Sequence, residues 1–167
     1  MPVEVLVYGG VGANGGGIFG HVVGTDFTFE LSNYWPLRNY NENWISQAGN
    51  GVVFTGNNTV GNDETLVFSD GSTSTVLSTD ENGNFLYATS YLRELDGETV
   101  FLARTDSVSG HNSGDNVLMI TDGSNAPQVL FDQLVTYYTV VGGSAYAIAS
   151  DHDLYRIRSD GSYARGI

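Results

Sequence analysis

The sequence predicts an all-β fold, a β-propeller-like array of about four repeats of short antiparallel strands. The tripeptide (Ser/Thr)-Asp-Gly occurs at residues 69–71, 121–123 and 159–161, each time between two apolar runs. A degenerate copy has Asp26 in the turn position, and the four aspartates are 44, 52 and 38 residues apart. A period of about 45 residues, built from short strands, is typical of propellers and related repeat arrays.

Turn residues divide the chain into one predicted domain, 1–167, with repeats at about 1–41, 42–84, 85–135 and 136–167. In the fourth repeat, Gly142-Gly143 joins two apolar runs and predicts a tight hairpin, because glycine accepts positive φ. Asp96-Gly97 and residues 49–51 predict the equivalent turns of the third and second repeats. Each of these three repeats is expected to contain four antiparallel strands.

The first repeat is shorter and supplies three predicted strands, which begin with VEVLVY at residues 3–8. Propellers usually close by sharing a blade between the termini, and nothing at the C-terminal end supplies a missing strand. We therefore expect the first repeat to have an open edge. Two arrangements remain open: the chain is a segment of a larger propeller, or a protein partner or second copy covers this edge.

The net charge is −13, from 19 acidic residues and six arginines, and lysine is absent. Such a chain repels nucleic acid and anionic membranes, so neither is an expected partner. The acidic surface fits either a salty or calcium-rich habitat or a simple need for solubility. Without cysteine there is no disulfide framework. The longest uncharged stretch, 133–150, is broken by Gly142-Gly143 and does not predict membrane insertion.

Residues 49–167 resemble a family of bacterial propeller repeats, and the first 48 residues fit it only loosely. The matching stretches are GETVFLARTD with NVLMITDGS, and GGSAYAIASD with DLYRIRSDGS. They are similar to the ELWxxDGT or hyalin-like repeats of secreted and surface proteins of marine and environmental bacteria. Val117-Leu118-Met119 and Leu154-Tyr155-Arg156 stand where the family has Glu-Leu-Trp. The resemblance implies an extracellular or cell-surface location and a scaffold or adhesion role.

No catalytic constellation accompanies the three histidines, His21, His111 and His152. A GxGxxG motif does occur at residues 10–15, with Glu30 placed as a ribose-binding acid would be. The glycine-rich residues after it lack helical periodicity, so we predict a hairpin loop there instead of a dinucleotide site. The chain is therefore expected to be non-enzymatic and to need no cofactor.

Two oxygen-rich loops are candidate calcium sites. Asp80 and Asn82 alternate in a tight turn, and Asp151 and Asp153 flank His152. Carboxylate and amide oxygens are the ligands that Ca²⁺ prefers, but each loop supplies only two or three of the six to eight required. We predict weak Ca²⁺ binding at most, and the alternative is that both loops are ordinary solvated turns.

Aromatic residues cluster between the first and second repeats, at Trp35, Tyr40 and Trp44. Rings of this kind stack on sugars, so they are candidate glycan ligands, unless they cap the core. The predicted function is a non-enzymatic binding or structural module. A carbohydrate-binding lectin-like module and a virion or other assembly subunit are the alternatives.

Arg156 and Arg158 lie two residues apart on a predicted strand, so they project from the same face, opposite Tyr155 and Ile157. In a chain with so few cations, we expect them to form salt bridges with acids on an adjacent repeat.

Overall fold

A computed structural model describes residues 5–12, 15–22, 28–32, 35–36, 45–57, 64–105 and 116–166. These residues form sixteen β-strands and contain no helix, so the predicted all-β class is confirmed. The strands fall into four antiparallel sheets that follow one another along the chain.

Sheets 1 and 2 contain the N-terminal strands. Sheet 1 has the order β1-β2-β3, with β1 (Val5–Gly12), β2 (Gly15–Val22) and β3 (Thr28–Ser32). Sheet 2 contains β4 (Trp35–Pro36), β5 (Ile45–Ala48), β6 (Gly51–Asn57), β7 (Glu64–Ser69) and β8 (Ser74–Val76). In sheet 2, β4 and β5 pair with opposite ends of β6.

Sheets 3 and 4 are four-stranded meanders, in which each strand pairs with the next one along the chain. Sheet 3 contains β9 (Leu86–Leu95), β10 (Glu98–Thr105), β11 (Val117–Thr121) and β12 (Gln128–Phe131). Sheet 4 contains β13 (Val135–Val141), β14 (Ser144–Ala149), β15 (Leu154–Ile157) and β16 (Tyr163–Arg165).

Tight hairpins form where the sequence predicts them. Gly142 and Gly143 have φ values of 57° and 69°, and Asp96 and Gly97 have values of 52° and 86°. Positive φ at both central residues matches the right-handed twist of the flanking strands, which explains why glycine recurs here. The GxGxxG glycines also lie in a hairpin, between β1 and β2, since Gly12 pairs with Gly15.

The three Asp-Gly turns share one hydrogen-bonding pattern. Oδ1 of Asp70 accepts bonds from the backbone N–H groups of Ser72 and Thr73, both at 2.8 Å. Asp122 accepts the equivalent pair, and Asp160 accepts one such bond, from Ser162 at 2.9 Å. The glycine that follows each aspartate has a φ between 78° and 86°. Turn chemistry therefore accounts for the repeated tripeptide.

Sheet 3 lies between its two neighbours, and both of its faces are buried. In β10, Val100 and Leu102 pack toward sheet 4, whereas Phe101 and Ala103 pack toward sheet 2. This alternation follows from the two-residue period of a strand. Backbone contacts reinforce the stack, because the Gly49 N–H donates to the Gly97 carbonyl at 2.7 Å. Sheets 2, 3 and 4 thus stack face to face.

Closure of this stack into a propeller ring is not seen in the described part of the chain. There, sheet 1 makes no extensive contact with sheet 4. Sheet 1 has the three predicted strands, and β2 is the only described strand that pairs with β1. The structure therefore establishes an all-β array of antiparallel sheets, without showing a closed propeller ring.

Candidate interaction surface

The outer face of sheet 4 is the most extensive exposed apolar surface among the described residues. We call it the end face, and it consists of Tyr137, Thr139, Val141, Tyr146, Ile148, Leu154 and Arg156. Four of these side chains are large, hydrophobic and solvent-accessible: Tyr137 (55% exposed), Val141 (61%), Ile148 (39%) and Leu154 (37%). Sheet 3 covers the opposite face of sheet 4. Sheet 4 is therefore buried on one side only.

Strand register arranges the end face in two rows. Tyr137 lies opposite Ile148, which lies opposite Leu154, so one row is wholly apolar. Thr139, Tyr146 and Arg156 form the second row in the same way. Because the side chains of cross-strand neighbours touch, each row presents a nearly continuous surface.

A register irregularity between Val135 and Tyr137 sets which side chains of β13 point outward. Beyond it, Tyr138 and Val140 pack into the core, and the outward positions are odd-numbered. Small inward residues on β14, the alanines at 145, 147 and 149, are fully buried and let sheet 3 approach closely. A plain alternation pattern does not reveal this shift, since the bulge adds one residue to β13.

The end face contains no acidic side chain and includes one cation, Arg156, while Arg158 lies just beyond the end of β15 on the same side. As predicted, Arg156 and Arg158 project opposite the buried Tyr155 and Ile157. The predicted salt bridges, however, are wrong: within the described residues neither arginine forms an ion pair. The reason is topological, because the face that carries them is not covered by another sheet that could supply an acid.

The inner side of sheet 4 is anchored by two tyrosines. The Tyr138 hydroxyl donates to the Val100 carbonyl at 2.7 Å, and its burial raises the pKa of the phenol. Tyr155 packs in a ring cluster with Phe131 and Tyr163, whose ring centroids lie 5.0 Å apart. Tilted and edge-on ring contacts of this kind stabilise packing beyond the area they bury. Sheet 4 is thus held firmly against sheet 3, and the end face has a rigid base.

The Asp151–Asp153 loop is organised by protein groups. The Tyr155 hydroxyl donates to Asp151 at 2.7 Å, which lowers the pKa of that carboxyl and raises that of the phenol. Arg165 forms a salt bridge and a hydrogen bond with Asp153, and its guanidinium lies 3.7 Å from Asp151. The structure therefore brings these two predicted calcium ligands together, with an arginine between them.

Asp80 and Asn82 lie in a separate loop, between β8 and β9. The Asp80 residue is only 2% exposed, and its Oδ1 accepts the backbone N–H groups of Asn82 and Asn84 at 2.9 and 3.0 Å. In the described part of the chain, no three His, Cys, Asp or Glu side chains form a group suited to a metal. The calcium hypothesis stays a prediction.

An acidic depression that the sequence did not indicate lies in sheet 3, where β10 begins, β11 ends and β12 begins. Its volume is about 350 Å³, and Glu81, Glu98 and Asp122 contribute its carboxylates. Burial raises the pKa of Glu98, and the charges of Asp122 and Asp96 raise it further. These acids come from three separate segments, so no local motif could have revealed their proximity.

Of the three residues in the predicted glycan-binding cluster, the structure describes Trp35. Trp35 lies in β4, where it pairs with Asn57 of β6. Tyr40 and Trp44 lie outside the described residues, as does His111. The lectin-like alternative therefore stays a prediction.

Fold and surface together define an all-β protein of repeated antiparallel sheets, in which sheet 4 has an exposed apolar face. No protein-family model matches the chain, and searches of curated proteins and of solved structures found no match. Among the described residues there is no helix suited to cross a membrane.

Proposed function

We propose that this protein is a non-enzymatic structural or binding module that associates with other protein through the end face. The carrying observation is the exposed row Tyr137, Ile148 and Leu154 on a rigid sheet. Protein interfaces are enriched in tyrosine and arginine and depleted in acidic residues at their centres. The end face has this composition although the chain as a whole is strongly acidic.

We also propose that the antiparallel sheets are arranged like the blades of a propeller. The first strand of sheet 3, β9, contacts β13, the first strand of sheet 4, and β5, which follows the two-residue β4 in sheet 2. First strands also lie side by side around the axis of a propeller, with each blade packed on the next. In such an arrangement the outer face of a terminal blade needs a covering partner.

We also propose a scaffold or adhesion role at the cell surface or outside the cell, which is what the sequence resemblance of residues 49–167 to hyalin-like repeats implies. The edge of β1 supports a second contact, because β2 is its only described neighbour. An unpaired strand edge is a template for strand addition by another chain. We propose that both surfaces serve assembly.

The test is site-specific photo-cross-linking. A benzophenone amino acid replaces Ile148 on the end face, and in a matched control it replaces Phe85, which is 60% exposed and lies outside the end face. Irradiation is carried out on the purified chain and on the chain mixed with proteins of its producing cells. We expect discrete adducts from position 148 that excess unlabelled chain competes away, and none of these from position 85. If position 148 gives no specific adduct in either mixture, the proposed function is wrong.

A further inference from the structure

We propose that the occupant of the end face is a second copy of this chain, which packs through the same face about a two-fold axis. This inference rests on the proposed function and names the partner. The argument uses the distribution of charge, the order of side chains across the strands, and the size of the face.

Charge is distributed very unevenly along the chain. Residues 136–167 contain three aspartates and three arginines and are neutral. Residues 1–135 contain 16 acids and three arginines, so the whole net charge of −13 lies there. Two copies therefore repel one another along most of their length. Contact between the two neutral segments keeps the acidic parts farthest apart, which favours pairing end face to end face.

The end face is also self-complementary. A two-fold axis that runs along β14, between the two faces, places β13 of one copy over β15 of the other. The row Tyr137, Ile148 and Leu154 then meets the same row in reverse order, so Tyr137 packs on Leu154 of the second copy. Ile148 packs on Ile148 at the centre. This arrangement is the aligned packing of two sheets, in which apolar side chains interdigitate.

Arg156 has a place in the same arrangement. Its row meets the reversed row of the second copy, so the guanidinium lies beside Thr139 and the ring of Tyr146. Arginine stacks favourably on tyrosine rings, and its weak hydration lowers the cost of burial. An aspartate at position 146 or 148 would instead face the same aspartate of the second copy, because only residues of β14 lie on the axis.

The size of the face sets the expected strength. The four strands of sheet 4 have seven, six, four and three residues. At about 3.3 Å per residue and about 4.8 Å between strands, they cover roughly 320 Å² per copy. A standard specific interface buries about 800 Å² per partner, so we expect a weak, reversible dimer with a Kd above about 1 μM.

Sedimentation velocity of the purified chain, from about 10 to about 500 μM, tests the inference. We expect a monomer–dimer equilibrium that strengthens when NaCl rises from about 0.05 to about 0.5 M, because salt screens the repulsion between two acidic copies. Ile148→Asp should weaken the dimer at least tenfold, and Tyr137→Ser should weaken it severalfold. Phe85→Asp is the matched control, since it adds the same charge at an exposed apolar position outside the end face. Circular dichroism and the thermal midpoint check that each variant folds.

Two results would overturn the inference: a monomer at every concentration, or self-association that survives both end-face substitutions. If the chain stays monomeric while position 148 still cross-links to a different protein, the second copy is wrong and the proposed function stands. If neither experiment detects contact at the end face, both proposals fail.

Discussion

The Tyr138 hydroxyl, on β13, donates a 2.7 Å hydrogen bond to the Val100 carbonyl, on β10, across the boundary between sheet 4 and sheet 3. The Tyr91 carbonyl on β9 also lies against this hydroxyl, and Tyr91 has a positive φ of 58°. Register shifts between β9 and β10 surround this point. Two backbone carbonyls therefore face the neighbouring sheet at this point, and the single hydroxyl hydrogen of Tyr138 donates to that of Val100.

Replacing Tyr138 by phenylalanine should destabilise the fold, because the Val100 carbonyl at the sheet boundary loses its hydrogen bond from the tyrosine hydroxyl. We expect a loss of about 1–3 kcal/mol in the free energy of unfolding, measured by urea denaturation. Tyr137→Phe is the matched control, since that side chain is more than half exposed. An equal effect of both substitutions would show that the buried hydroxyl has no special role.

Two glycines in turns should respond in opposite ways to substitution. At Gly123, which has a φ of 83°, an added Cβ would lie 2.1 Å from the Phe68 ring. We therefore expect Gly123→Ala to cost at least about 2 kcal/mol, from overpacking and backbone strain. At Gly142, an added Cβ meets no atom within 4 Å.

Gly142→Asn should instead stabilise the fold by about 0.5 kcal/mol. Asparagine tolerates positive φ, and it reduces the freedom of the unfolded chain relative to glycine. Thermal unfolding of both variants beside the wild type measures the difference. A stabilising Gly123→Ala would contradict the packing described here.

Acid should unfold the protein partly through the Asp-Gly turns. Hydrogen bonds from Thr73 and Ser72 lower the pKa of Asp70 from 3.8 to about 2. For Asp160, bonds from the Ser162 hydroxyl and backbone lower the pKa. Burial opposes the shift at Asp122, but bonds from Asn125 and Ser124 outweigh it.

Because these pKa values are lower in the folded state, the turns contribute their full stabilisation above the unfolded pKa, and they lose it as pH falls from about 4 to about 2. Asp70→Asn keeps a turn-forming side chain but removes the titration. We expect its urea midpoint to fall less than that of the wild type over this pH range. Identical pH profiles would refute the assignment for Asp70.

Glu98 should show the opposite pH dependence. Its folded pKa is raised by burial and by Asp122 and Asp96. The folded state therefore holds its proton more tightly than the unfolded state, and stability falls as pH rises through the two pKa values. We expect Glu98→Gln to be more stable than the wild type at pH 7, with the advantage disappearing at acidic pH where both side chains are neutral. Asp132→Asn serves as control, because that side chain is exposed and lies outside the depression.

Calcium should compete with Arg165 for the Asp151–Asp153 loop. In the wild type the single guanidinium of Arg165 lies within salt-bridge distance of both carboxylates. Arg165→Gln leaves two adjacent acids without a cation. We therefore expect millimolar calcium to raise the thermal midpoint of this variant more than that of the wild type. The stabilisation should be about 1 kcal/mol or less. The comparison is calcium against chelator at matched ionic strength. An equal response of both proteins would show that the loop does not bind calcium.

Local sequence determined the strands and their turns. Gly142-Gly143, Asp96-Gly97 and the three Asp-Gly turns are self-contained, because positive φ and side-chain bonds to nearby backbone groups need no distant partner. The alternation of β15 likewise placed Arg156 and Arg158 opposite Tyr155 and Ile157. Only the tertiary structure decided which faces of the sheets are covered.

Sheet 3 is buried on both sides, and sheet 4 on one, although each sheet is built from short apolar runs with similar turns. Stacking brings together residues that are far apart in sequence, such as Val100 and Tyr138. The acidic depression likewise combines Glu81, Glu98 and Asp122 from separate segments of the chain. The open end face, and with it the unpaired state of Arg156, follows from the position of sheet 4 in the stack. Burial of a sheet face depends on what packs against it, and no pattern within a single strand encodes that neighbour.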